Sequence, residues 1–241
     1  MNILMTICAR GGSKGIPGKN VKLINGKPLI YYSIKMANKF AENFNDVNII
    51  LSTDDDEIKN IVKGLNLNID TTYNRPKHLA TDSAGKMVAI IDVKEYCEEK
   101  YNLNYDFVMD LDVTSPLRTL EDLRNAFELL LSDKNAFNIF SVSPANRNPY
   151  FNMVEQNSNG YYTTSKKGEF LTRQSTPKVF DMNASFYIFS RKYFANGFKG
   201  AITDKSLIYE VPHICFDLDH PLDFDFMEYL MLNNKLDFEI E

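Results

Sequence analysis

The chain has 241 residues, 44% of them hydrophobic, which is enough to bury the core of one α/β domain. A formal net charge of −5 argues against general nucleic-acid binding, and no run of eighteen apolar residues is there to cross a bilayer. Three widely spaced cysteines (Cys8, Cys97 and Cys215) read as reduced, buried small hydrophobes of a cytoplasmic protein; no basic-then-apolar leader opens the chain, so export is not expected.

The first element is an apolar run, residues 3–7, that reads as a buried strand. It breaks into Cys8-Ala9-Arg10-Gly11-Gly12-Ser13-Lys14-Gly15-Ile16-Pro17-Gly18-Lys19-Asn20. Glycines let the backbone approach a ligand and expose its N–H groups, and Arg10, Lys14 and Lys19 are interleaved with them. A strand that ends in a glycine-rich basic loop is how α/β proteins seat phosphate. A P-loop is excluded, because Ser13 stands where it needs glycine and Asn20 where it needs Ser or Thr; a dinucleotide fingerprint is excluded because no Gly-x-Gly occurs. The plain alternative is a flexible surface loop with solvated lysines. Residues 1–41 carry seven Lys or Arg and no Asp or Glu. Such a segment in an acidic chain suits a compact anion, such as a nucleoside triphosphate, better than a polymer.

Asn25-Gly26-Lys27-Pro28 is a turn, and Pro28 starts a helix with Leu29, Ile30, Ile34 and Ala37 on its apolar face. Residues 48–52 form a second strand. Thr53 is placed to cap the next helix, with Asp54, Asp55, Asp56 and Glu57 at its positive end; the acidic run is alternatively a metal site. Residues 74–83 have turn chemistry and read as a loop over the carboxyl edge of the sheet, with a helix following over about 85–99. Residues 106–111 are a strand leading into Asp112-Val113-Thr114-Ser115-Pro116-Leu117-Arg118. Thr119 caps a helix with Glu121 and Asp122 in its first turn and Leu123, Phe127, Leu130 and Leu131 on its buried face.

After a strand at 137–142 the composition turns to Asn, Ser, Thr, Tyr and Pro. In this stretch, 143–178, residues 150–154 and 161–164 flank Asn157-Ser158-Asn159-Gly160 as a hairpin. Residues 183–189 and 211–217 are further strands, and a helix starts near Pro221 with Asp223 supporting its N-terminus. On a strand, i and i+2 face the same side, so Asp217 and Asp219 are expected to present two carboxylates to one cation. Magnesium favours one or two carboxylates completed by phosphate oxygens and water. His213 and His220 make no zinc set with Cys215, since a fourth ligand is missing. Alternating strands and helices predict a three-layer α/β sandwich with a mostly parallel sheet and its ligand at the carboxyl ends of the strands.

The loop from Ala9 to Asn20 resembles the N-terminal signature of the acylneuraminate cytidylyltransferases, also called CMP-sialic acid synthetases, which use CTP to join CMP to a nine-carbon 2-keto sugar acid. Further stretches are similar to that family: Ser52-Thr53-Asp54, the loop from Arg75 to Ser83, Thr114 to Arg118, Arg173-Gln174, Asn183 to Tyr187, and Asp217-x-Asp219. The resemblance implies a Rossmann-like sheet of the nucleotide-diphospho-sugar transferase type, one domain over 1–241, and a protruding dimerisation segment over 143–178. It implies nucleotide contacts from Ala9, Arg10, Gly11, Ser13, Lys14, Lys19, Asn20, Arg75 and Ser83. It implies sugar contacts from Asp112, Arg173, Gln174, Asn183 and Tyr187, magnesium on Asp217 and Asp219, and catalytic roles for Arg10, Lys19 and Asp219. The partners implied are CTP, a nonulosonic acid and a second copy of the chain.

One departure is informative: Asp112-Val113 stands where the sialic-acid enzymes have Gln-Pro. In the related synthetases for the eight-carbon keto sugar acid, an Asp at about this place is a metal ligand. Asp112 therefore holds metal, accepts hydrogen bonds from a differently decorated sugar, or is simply solvated at a strand end. The departure favours a legionaminic-type acid over N-acetylneuraminate. Two rival readings are a cytidylyltransferase for the eight-carbon acid, whose N-terminal loop differs, and a non-catalytic nucleotide-sugar binder, in which the loop, Arg173 or the Asp pair would be eroded.

Overall fold

Six strands build the central sheet of the computed structural model, which describes residues 1–12 and 15–240. They are β1 (Ile3–Cys8), β2 (Val47–Ser52), β3 (Phe107–Leu111), β4 (Asn138–Pro144), β5 (Phe180–Ser190) and β6 (Ser206–Glu210), in the spatial order β6-β4-β5-β3-β1-β2. β1 pairs in parallel with β2 and β3, and β4 with β6, while β5 runs antiparallel between β3 and β4. Five strands thus end at one edge and β5 begins there. The expected mostly parallel α/β sheet is what forms.

Among the described residues six α-helices accompany it: α1 (Leu29–Ala41), α2 (Asp56–Gly64), α3 (Lys86–Tyr101), α4 (Leu120–Ser132), α5 (Arg191–Ala195) and α6 (Pro221–Leu232). The pleat of β1 explains the layers, because alternate side chains face opposite sides. Ile3, Met5 and Ile7 enter one core with residues of α1, α2, α4 and α6, whereas Leu4 enters a second core with α3 and α5. In the first core Phe127 meets Phe40, Phe44 and Phe107 edge to face, and burying an aromatic ring of this kind stabilises by about 1.5–3 kcal/mol.

Local rules account for most boundaries. Thr119 caps α4, its hydroxyl accepting from the Asp122 N–H while Asp122 reaches back to the Thr119 N–H, as expected. Leu123, Phe127 and Leu130 are buried, but Leu131 is 45% exposed. One residue past Leu130 is about 100° further round the helix, which carries Leu131 off the apolar stripe. Thr53 does not cap α2. The helix begins at Asp56, so the cap is Asp55, whose carboxylate accepts from the Glu57 and Ile58 N–H groups. A hairpin forms, but its first arm is Val154–Gln156 rather than the expected 150–154, paired against Tyr162–Thr164.

The expected strand over 211–217 is absent. The last strand is β6, and the ladder ends when the Val211 N–H donates to Val142 O. Pro212 follows and has no N–H to continue the pairing. Residues 211–219 run instead as an irregular strap across the sheet edge into α6.

Candidate active site

β1 lies between β2 and β3: the chain leaves β1 toward β2 on one side, and the connection leaving β2 returns to β3 on the other. Crevices of this kind at the carboxyl edge are where open α/β sheets bind ligands. A cleft of about 540 Å³ opens there, with Arg10, Lys19, Arg75, Lys86, Asp112 and Asp219 among its walls. Residues from both ends of the sequence therefore share one cavity.

The glycine-rich loop is tied at both ends. Ala9 is fully buried and its N–H donates to Ser52 O, extending the β1 ladder. Asn20, also buried, donates from its side chain to Arg10 O at 3.0 Å. Gly18 sits at φ 64°, in the left-handed region that favours glycine, and starts the turn Lys19–Val21. A Cβ on Gly15 would lie 3.2 Å from Asp219 O, so loop and acidic turn approach backbone to backbone. Lys19 Nζ then reaches Asp219 Oδ1 at 3.0 Å. Arg10 pairs with Asp82 at 2.6 Å, and the Gly11 N–H donates to Asp54. Ser13 and Lys14 lie outside the described residues. Arg75 is buried and directs its guanidinium to Ser52 Oγ and O, both at 3.0 Å. Ser83 is not among the cleft walls; its exposed hydroxyl is 3.2 Å from that of Thr81, which does line the cleft.

Asp217 and Asp219 are positioned by a turn rather than a strand. Leu218, fully buried between them, donates its N–H to Thr114 O at 2.8 Å. Asp223 accepts from the Asp219 and His220 N–H groups and so anchors the turn to the start of α6. Asp217 Oδ1 accepts from Ser115 Oγ at 2.6 Å. Burial raises the Asp217 pKa above the ordinary carboxylate value, and the Asp112 and Asp219 carboxylates raise it further. Mutual repulsion of this kind is what a divalent cation relieves. No group of three or more His, Cys, Asp or Glu able to hold a metal occurs among the described residues. Two carboxylates completed by phosphate and water oxygens remain a donor set that fits magnesium.

The sugar-site candidates separate in space. Asp112 lines the cleft; its Oδ1 accepts from the Thr114 N–H and hydroxyl, and its Oδ2 is paired with Lys86. Burial alone would raise its pKa, but the Lys86 ammonium and the Thr114 donors outweigh that and lower it to about 2. Asn183 and Tyr187 are buried and are not among the cleft walls, Asn183 donating to Ser143 Oγ at 3.0 Å. Arg173 and Gln174 line a separate cavity of about 460 Å³ beneath the 143–178 segment, where Arg173 donates to Ala145 O at 2.9 Å. Within one chain the structure thus brings Asp112, but not Arg173 or Gln174, into the main cleft.

Two residues escape a sequence reading. Lys86 lies on the cleft wall, 3.0 Å from Asp110 Oδ2 and against Asp112, with its ammonium 5.1 Å from the Tyr187 ring centroid. A signal for it exists: it opens α3, and a cation at the positive end of a helix is unfavourable without a local partner. Arg118 is 1% exposed and donates to Ser185 Oγ, Ser33 Oγ, Asp112 O and Ser115 O. A hydrophilic residue closing a loop motif carries no mark that it will be enclosed.

Known proteins bear on this arrangement. A family profile described as cytidylyltransferase matches residues 4–239. The chain is 40% identical over 234 residues to a post-translational flagellin modification protein B of Campylobacter coli, covering 97% of each chain. It is 39% identical over 229 residues to a CMP-N,N'-diacetyllegionaminic acid synthase of Campylobacter jejuni, covering 95% of this chain and 94% of that one. A solved CMP:2-keto-3-deoxy-manno-octonic acid synthetase complexed with CTP superposes with a TM-score of 0.67 at 16% identity, over 97% of this chain and all of that one, and shares the fold. By the profile that spans it and relatives of this similarity, the chain belongs to the acylneuraminate cytidylyltransferase family and is a nucleotidyltransferase enzyme.

Proposed function

We propose that the chain transfers CMP from CTP to the anomeric hydroxyl of a nine-carbon 2-keto sugar acid, with a legionaminic-type acid preferred to N-acetylneuraminate. The observation that carries this reading is the Lys19–Asp219 contact at 3.0 Å, which joins the glycine-rich loop to the acidic turn inside one cleft. The anomeric oxygen attacks the α-phosphorus, the bond to the β-phosphate breaks, and pyrophosphate leaves. Such transfers depend on positioning and charge neutralisation rather than on covalent chemistry by the protein. Arg10 and Lys19, with Lys14 beside them in sequence, neutralise the triphosphate, and Arg10 exchanges Asp82 for a phosphate oxygen as it does so. Asp217 and Asp219 would hold magnesium. When bound, that ion would supply charge neutralisation at the phosphates and a lowered pKa for the attacking hydroxyl.

The sugar preference is supported by Asp112-Val113 in place of Gln-Pro and by the Campylobacter jejuni relative whose name specifies diacetyllegionaminate. A homodimer is part of the reading. The segment holding Arg173 also exposes Leu171, Tyr161 and Tyr162, as an uncovered interface would. Docked on a second copy, it would carry Arg173 toward the partner's cleft; sedimentation at micromolar concentration checks the assembly. Free thiols and the use of CTP suit the cytoplasm, and among the described residues no helix is long and apolar enough to cross a membrane.

Pyrophosphate release is the test, with CTP, magnesium and a panel of diacetyllegionaminate, N-acetylneuraminate and the eight-carbon acid. Release with none of them defeats the enzyme assignment. A higher kcat/KM for N-acetylneuraminate than for diacetyllegionaminate defeats the sugar assignment alone.

A further inference from the structure

We propose that Phe238, in the C-terminal tail, is a positioning residue for the Asp217–Asp219 turn and acts through His213. The inference rests on the magnesium reading above and deepens it. Beyond Val211 the strap to Asp219 has no ladder to hold it, yet it carries both carboxylates. It is fastened instead at two points to one stretch, residues 114–122. At the near end the Leu218 N–H donates to Thr114 O, and Asp217 Oδ1 accepts from Ser115 Oγ. At the far end His213 Nε2 lies 2.9 Å from Asp122 Oδ2. Asp122 is itself fixed, because it accepts from the Thr119 N–H and hydroxyl at the start of α4.

Phe238 covers the far fastening. Its ring lies against the imidazole of His213, with centroids 4.0 Å apart and planes at 34°. The His213 and Asp122 side chains are only 7% and 2% exposed. A charged hydrogen bond sheltered in this way is stronger than the same pair in water. The tail is built to keep the ring there. Leu236, Phe238 and Ile240 are half-buried against the first core, while Lys235, Asp237 and Glu239 between them are exposed. α6 thus serves both ends of the strap: Asp223 in its first turn holds the Asp219 N–H, and the tail that follows its last turn holds His213. Without the ring, water reaches the imidazole and the side chain regains rotamer freedom. The strap is then fastened firmly only near Leu218, and the two carboxylates spend less time in the arrangement that a cation requires.

The test compares wild type with Phe238→Ala, Phe238→Tyr, His213→Gln, the double variant Phe238→Ala with His213→Gln, and Leu236→Ala. Leu236→Ala removes tail packing on the core and leaves the ring against His213. Amide hydrogen exchange at Leu218 reads the strap with no metal present. Water-proton relaxation by manganese, with CTP present, reads the metal affinity of the folded protein. Phe238→Ala is expected to speed Leu218 exchange and weaken manganese binding by about two- to tenfold, the weight of one aromatic contact. Phe238→Tyr keeps wild-type values, and the double variant is no worse than the poorer single one, because both act on the same fastening. Leu236→Ala lowers the unfolding midpoint but leaves both readouts within about twofold of wild type. Unchanged exchange and manganese affinity in Phe238→Ala overturn the inference, and so does a Leu236→Ala protein that shifts both as far. A wild type that binds no manganese beside CTP, while Leu218 exchange still responds to Phe238→Ala, fails the magnesium reading and leaves the positioning role standing.

Discussion

Arg118→Met probes how the site is held together. The wild-type guanidinium is enclosed and supplies hydrogen bonds to four neutral acceptors: Ser185 Oγ at 2.8 Å, Ser33 Oγ at 3.0 Å, and the carbonyls of Asp112 and Ser115. Burial lowers its pKa to about 10, so it is still cationic at pH 7. Methionine fills much of the volume and supplies no donor. Each buried acceptor left unmade costs about 1–3 kcal/mol, and removing a buried charge recovers part of that, which leaves a net loss of about 3 kcal/mol. For a chain of this size that is a fall in Tm of about 6–12 °C. The damage also reaches function. Ser115, whose carbonyl Arg118 holds, positions Asp217 through its hydroxyl at 2.6 Å, so the magnesium concentration for half-maximal turnover rises. Arg118→Lys does not rescue, because one ammonium cannot reproduce the planar fork. Thermal unfolding by two probes and a magnesium titration of turnover provide the readouts. An Arg118→Met protein that melts within 2 °C of wild type, at unchanged magnesium half-saturation, would refute the argument.

Two further expectations separate chemistry from stability. Asp219→Asn is predicted to lower turnover by about 10²–10³ while leaving the unfolding midpoint nearly unchanged, since the Lys19–Asp219 pair is largely exposed on its acidic side and such pairs contribute only about 0–1 kcal/mol; normal turnover with normal metal dependence would sink the metal assignment. The second concerns pH. His213 Nε2 is 2.9 Å from Asp122 and its Nδ1 is 3.0 Å from Ile214 O; burial opposes the imidazolium, but Asp122 and that carbonyl raise its pKa. Asp122 is lowered, because the His213 and Thr119 donors outweigh its burial. The raised His contribution is complete below about pH 6.5 and is lost as pH climbs through its folded pKa, whereas the lowered Asp contribution is complete above about pH 4 and is lost as pH falls through its own. The stability gap between wild type and His213→Gln is therefore greatest between about pH 4 and 6.5 and shrinks under alkaline conditions; urea titrations across pH that show a constant gap would contradict the pairing.

The turn at Gly18 and the Thr119 cap were legible because each depends on neighbours within a few positions: glycine geometry, and a side chain reaching its own helix terminus. Asp217 and Asp219 were expected on one face of a strand, whereas an irregular turn, tied by the Leu218 N–H to Thr114 O and by Asp223, places them. The supposed strand over 211–217 failed because apolar content alone does not make a strand. Pro212 ends the ladder, and the partner that would have to be free, β4, is already paired with β6.

What the sequence by itself determined is the alternation of strands and helices, hence a mostly parallel sheet, and the families of charge that must meet at its carboxyl edge. Which charges do meet was decided only by tertiary structure. Lys86 finds Asp110 and Asp112, and Lys19 finds Asp219 some 200 positions away. Arg173, though its motif reads like the others, lies in a cavity apart from them. The physical reason is that Coulomb attraction and desolvation depend on distance and burial in space, and neither is encoded by the identity or local spacing of the residues that feel them.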